Sequence, residues 1–71
     1  MGSHWKQFEG ALNSAAKNIG KEPRFQVIPD QRNTLYEIRY GNKWQSVDLS
    51  EAEQFLSDPS RLAEFVNQFL G

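Results

Sequence analysis

Apolar residues near the start of the chain return at steps of three and four. Trp5, Phe8, Leu12, Ala15 and Ile19 fall on one face of a helix over residues 5–19, with Lys6, Gln7, Asn13, Lys17 and Asn18 opposite. Gly20 follows the last periodic position, where a residue in the left-handed region ends a helix. Gly10 lies inside the helix and weakens it by about 1 kcal/mol relative to alanine. With Ala11 and Ser14 it makes a small-residue patch.

From residue 24 the period changes from helical to alternating. Arg24-Phe25-Gln26-Val27-Ile28 predicts a strand closed by Pro29, and Pro29 to Asn33 has the composition of a turn. Thr34 to Tyr40 is rich in β-forming residues. It sets Tyr36, Ile38 and Tyr40 on one face and Leu35, Glu37 and Arg39 on the other. Gly41-Asn42 reads as a tight hairpin turn, with Lys43 to Leu49 as the returning strand. A two-residue loop pairs Arg39 with Trp44 and leaves Val47 and Leu49 on the core face. A three-residue loop pairs Tyr40 with Trp44 and turns Trp44 inward. We take the two-residue loop.

The last third is helical. Ser50-Glu51-Ala52-Glu53 has the form of a capping box, with Ser50 as the cap. Asp58-Pro59 marks a fresh start, Asp58 as cap and Pro59 at the first helical position. Leu62, Phe65, Val66, Phe69 and Leu70 then keep an unbroken helical period. The order α-β-β-β-α-α predicts an α+β fold: a three-stranded antiparallel β-meander with the N-terminal and C-terminal helices on one face. Residues 5–71 form a single small domain on this reading. Met1-Gly2-Ser3-His4 reads either as a cloning remnant or as native sequence with Ser3 as a helix cap.

Composition narrows the chemistry. The 71 residues include no cysteine and one histidine, His4, which excludes disulfides, thiolate metal sites and multi-histidine metal sites. Serines 14, 46, 50, 57 and 60 have no base at a recognisable spacing. Glu51 and Glu53, two positions apart, face different sides of a helix, and capping accounts for Asp48 and Glu51. No glycine-rich phosphate loop is present, since Gly20 and Gly41 read as a helix stop and a turn. The expectation is therefore a non-enzymatic protein with no cofactor and no metal. No apolar run is long enough to span a membrane, and no signal-peptide pattern opens the chain. The default expectation is a cytoplasmic protein.

Charge is unevenly placed. Lys17 to Lys43 carries six basic and three acidic residues, whereas Trp44 to Gly71 carries five acidic residues and one basic. A basic sheet region thus precedes an acidic helical region, although the whole chain carries only −1. Aromatic and arginine residues dominate the energetics of protein interfaces. The sheet face turned from the helices holds Leu35, Glu37, Arg39 and Trp44, with Tyr40 and Lys43 at the hairpin tip. Trp44 is the expected anchor, with Arg39 beside it in a cation–π contact.

Lys21, Arg24, Arg32, Arg39 and Lys43 define an alternative face for nucleic acid, because bases stack on aromatics and phosphates pair with cations. The order α-β-β-β-α is similar in outline to the double-stranded-RNA-binding domain and to small toxins sharing that fold. The similarity is in element order, and implies an RNA-binding role. Those domains open their final helix with clustered lysines. This chain has Ser50-Glu51-Ala52-Glu53 there, and no loop of the glycine-proline-histidine type. The expected function is a protein–protein interaction module: a regulator, inhibitor or accessory subunit with a protein partner. The alternatives are nucleic-acid binding through the basic hairpin and a structural homo-oligomer. For the last, Trp5, Phe69 and Leu70 supply an apolar seam.

Overall fold

A computed structural model describes residues 4–32 and 34–71. Its order is α1 (His4–Asn18), β1 (Gln26–Pro29), β2 (Leu35–Tyr40), β3 (Lys43–Asp48), α2 (Leu49–Ser57) and α3 (Pro59–Leu70). The strands form one antiparallel sheet, β1-β2-β3. The α+β arrangement expected from periodicity is the one observed. Met1 to Ser3, including the proposed Ser3 cap, and Asn33 in the expected turn lie outside the described residues.

Each boundary has a local cause. Gly20 adopts φ +77°. The Lys21 N–H donates to the Ala16 carbonyl (2.9 Å) and the Gly20 N–H to the Lys17 carbonyl (3.1 Å), closing α1 as a Schellman motif. Asp30 organises the β1–β2 turn: its carboxylate accepts from the N–H groups of Thr34 (2.7 Å) and Leu35 (3.1 Å). These bonds, Leu35's foremost, hold its pKa below the ordinary aspartate value against a smaller opposing effect of desolvation. Gly41, at φ +62°, makes the two-residue hairpin that pairs Tyr40 with Lys43 and Arg39 with Trp44.

α1 lies one residue earlier at each end than the expected 5–19, and β1 runs through Pro29, which pairs with Tyr36 instead of opening the turn. Three further boundaries move for a local cause. β1 starts at Gln26, because the main chain of Phe25 bonds a side chain of α1 rather than a strand. β2 starts at Leu35, because Thr34 is drawn into the Asp30 turn. β3 ends at Asp48, because Asp48 and not Ser50 caps the next helix: its Oδ1 accepts from the Glu51 N–H at 2.7 Å. Leu49 therefore opens α2 instead of ending the strand. Asp58 ends α2 and starts α3 at once, donating its N–H to the Gln54 carbonyl and accepting from the Arg61 N–H. Pro59 needs its predecessor extended, which Asp58 is (φ −130°, ψ 91°).

All three helices lie on one face of the sheet. Phe8, Leu12, Ile38, Val47 and Val66 are essentially sealed from solvent there. Seven of the nine aromatic rings form a connected series that leaves β2 at Tyr36 and returns to it at Tyr40. It runs Tyr36–Phe8 (5.9 Å between centroids), Phe8–Phe55 (6.3 Å), Phe55–Phe65 (4.9 Å), Phe65–Phe69 (5.8 Å), Phe69–Phe25 (5.7 Å) and Phe25–Tyr40 (4.8 Å). Such pairs each add about 0.5–1.5 kcal/mol beyond area burial, and here they tie every helix to the central strand. Burial, with the nearby charge of Glu53, pushes the Tyr36 hydroxyl above its ordinary pKa.

The cap assignment is testable by urea unfolding. Asp48→Ala loses the bond to the Glu51 N–H and is expected to cost about 1 kcal/mol. Ser50→Ala removes an exposed hydroxyl that makes no hydrogen bond among the described residues and is expected to change stability by less than about 0.5 kcal/mol. The reverse order of effects returns the cap to Ser50.

Candidate interaction surface

β1 and β3 are the two edges of the sheet, and their main-chain groups are treated differently. Asp30 donates its N–H to the Leu35 carbonyl at 3.0 Å. That sets the alternation of the β1–β2 ladder: Gln26 and Ile28 bond β2, while the main-chain groups of Phe25, Val27 and Pro29 face outward. Two residues of α1, one helical turn apart, meet them. Asn13 accepts from the Phe25 N–H (2.7 Å) and donates to its carbonyl (3.4 Å), and Glu9 accepts from the Val27 N–H (3.1 Å). Pro29 has no N–H to satisfy. α1 thus closes the β1 edge as well as helping to cover the core face.

The other side of the sheet carries Gln26, Ile28, Leu35, Glu37, Arg39, Trp44, Ser46 and Asp48 by strand alternation. None of the three helices crosses it. Trp44 is 67% exposed, Ile28 44% and Leu35 41%, the large exposed apolar residues among those described. Leu35, Glu37, Arg39 and Trp44 share this face as expected.

They do not form one apolar patch. Trp44 pairs with Arg39 at the hairpin end and Leu35 with Asp48 at the other, roughly 13 Å away along the strands. Leu35 instead neighbours Ile28 diagonally across β1 and β2. The alternation that exposes Leu35 also exposes Ile28 once the strands are paired, and this residue was not among those expected at the surface site.

Two expected tip residues serve the fold. Tyr40 turns to the helix side, packs on Phe25 and donates its hydroxyl to the Glu22 carbonyl at 2.9 Å. Lys43 also turns to that side and donates to the Phe69 carbonyl at 3.3 Å, near the C-terminus of α3, where positive charge is favourable. Arg39 does not lie over Trp44. Its Nε donates to Glu37, and the cation–π contact among the described residues is Lys6 over Trp5.

The basic residues expected to contact nucleic acid are divided. Arg24 and Arg39 line a shallow cleft at the hairpin end together with Pro23, Phe25, Gln26 and Gly41. Each is paired with a carboxylate two positions away, Glu22 and Glu37. Lys21 is exposed in the segment before β1, and Lys43 is engaged with α3. Arg32 sits in the β1–β2 turn, at the opposite end of the sheet, roughly 17 Å from the hairpin. These five residues do not form a continuous strip.

The Trp5, Phe69 and Leu70 seam is not assembled either. Glu9 meets Val27, so Trp5, one turn earlier, lies toward Pro29, whereas the Phe69 carbonyl meets Lys43 at the hairpin end. All three side chains are partly buried against the core.

Among the described residues no group of three or more histidine, cysteine, aspartate or glutamate side chains is placed to hold a metal ion. No helix among them is long and apolar enough to cross a membrane. Comparison with family models, curated proteins and solved structures gave no match.

The placement of the tryptophans sets an expectation. An uncharged quencher should reach Trp44 freely, and Trp44→Ser should remove most of the quenchable emission while changing stability by less than about 0.5 kcal/mol. A loss above about 2 kcal/mol would place Trp44 in the core instead.

Proposed function

We propose that the protein is a non-enzymatic protein–protein interaction module that binds its partner through the uncovered sheet face. The observation that carries this reading is the 67% exposure of Trp44 on a sheet face no helix covers, with Ile28 and Leu35 exposed on the same face. A tryptophan there costs free energy in water and gains it when covered, and truncating such an anchor typically weakens binding by about 2 kcal/mol or more. Arg39, Glu37 and Gln26 surround the apolar residues with groups able to hydrogen-bond a partner, as an interface rim does. The two carboxylate-paired arginines favour this role over phosphate binding, because each already has a neutralising neighbour. A regulator, inhibitor or accessory subunit in the cytoplasm fits this reading.

The test is comparative capture from the source cell, with the protein immobilised in three forms. A partner that uses this face is retained by the wild type and by Glu64→Ala, which alters an exposed residue of α3. It is lost, by roughly thirtyfold in affinity, with Trp44→Ser. A partner retained equally by all three forms, or none retained by any, contradicts the proposal. Retention of nucleic acid that falls steeply with added salt would replace it with the phosphate-driven alternative.

A further inference from the structure

We propose that the protein self-associates along β3, a second copy lying antiparallel beside it about a two-fold axis at Ser46, so that two three-stranded sheets become one. The hairpin dictates which groups are free. A two-residue loop closes on a hydrogen-bonded pair, here Tyr40–Lys43, so Ile38–Gln45 and Tyr36–Val47 also bond across the ladder. At Trp44, Ser46 and Asp48 the N–H groups, and at Trp44 and Ser46 the carbonyls, therefore point away from β2. Among the described residues nothing bonds them.

The β1 edge, by contrast, is closed by Glu9, Asn13 and Pro29. On β3, Lys43 to Ser46 are all exposed. A groove of about 290 Å³, lined by Gln45, Phe65, Gln68 and Phe69, separates it from α3. The strand has no proline, its register with β2 runs without a bulge, and its charged residues, Lys43 and Asp48, stand only at its two ends, so its middle is unprotected.

The chemistry of β3 suits a second copy. A two-fold axis at Ser46 sets Ser46 opposite Ser46 of the second copy, and Trp44 opposite its Asp48. The serines exchange two main-chain bonds, and each Trp44 carbonyl accepts from the Asp48 N–H across the axis. Antiparallel pairing also lays Lys43, at the hairpin end of one copy, beside the acidic end of the other, with Asp48 and Glu51. The contact is isologous and closed, so it stops at two copies. A domain of 71 residues with no disulfide also gains stability from association. This inference stands apart from the docking proposal, because pairing at the edge leaves the sheet face of both copies uncovered.

Sedimentation velocity over a concentration series tests it. The wild type should shift from monomer to dimer as concentration rises toward the millimolar range. Ser46→Lys sets like charges opposite one another on the axis. It is expected to weaken association by roughly tenfold or more, as is Ser46→Glu, and an equimolar mixture of the two should restore the dimer. Ser46→Pro removes an N–H that the monomer does not use and should also abolish dimerisation. Circular dichroism checks that each variant is folded. A wild type that stays monomeric throughout overturns the proposal. So does a dimer that survives Ser46→Lys and Ser46→Pro, or single-charge variants that the mixture fails to rescue. None of these results depends on whether Trp44→Ser releases a partner.

Discussion

Main-chain N–H groups on the outer side of β1 need acceptors, and the side chains of Glu9 and Asn13 supply them. Much of the structure depends on that contact. It fixes α1 antiparallel to β1 and beside it, which directs Phe8 onto Tyr36 and Phe55 and brings Leu12 into the core. A buried donor left without an acceptor costs about 1–3 kcal/mol. Because Asn13 engages both the N–H and the carbonyl of Phe25, a slip of one residue in either element breaks the whole set.

A three-stranded sheet has two faces and two edges, and a chain of this size has enough helix for one of each. α1, α2 and α3 cover one face, and α1 closes one edge. The remaining face and the β3 edge are left to solvent. On that face the exposed apolar residues alternate with charged ones: Trp44 next to Arg39, and Ile28 next to Glu37. Such a mixture keeps the free protein hydrated while retaining apolar area for a partner. The basic hairpin end and the acidic far end also give the layer a direction. An incoming strand or surface therefore meets a different charge at each end.

Much of the fold was legible because the strongest signals are periodic. The helical steps from Phe8 to Leu12 to Ala15, the alternation through Tyr36, Ile38 and Tyr40, and the Asp58-Pro59 start all became structure as expected. The Gly41 turn settled the hairpin register, and with it the exposure of Trp44. What periodicity misses is chemistry between elements. Asn13 reads as a polar residue on the solvent side of a helix, yet it is half-buried against β1. Glu9 reads only as one charge in a balance. Asp48 and Ser50 are both good caps, and only the point where β3 stops decides between them. The site was legible as a face but not as a patch. Alternation assigns Leu35 and Trp44 to one side without saying that four positions of strand divide them. It also says nothing of Arg39 turning to Glu37 rather than to the indole.

The central claim is that the sheet has one closed edge and one open edge. Amide hydrogen exchange, followed residue by residue at a concentration low enough to keep the protein monomeric, measures this directly. The account predicts that the Phe25 and Val27 amides, held by Asn13 and Glu9, exchange slowly, and that the Trp44 and Ser46 amides exchange nearly as fast as in an unstructured chain. Fast exchange at Phe25 and Val27, or protection at Trp44 and Ser46 in the monomer, would contradict it.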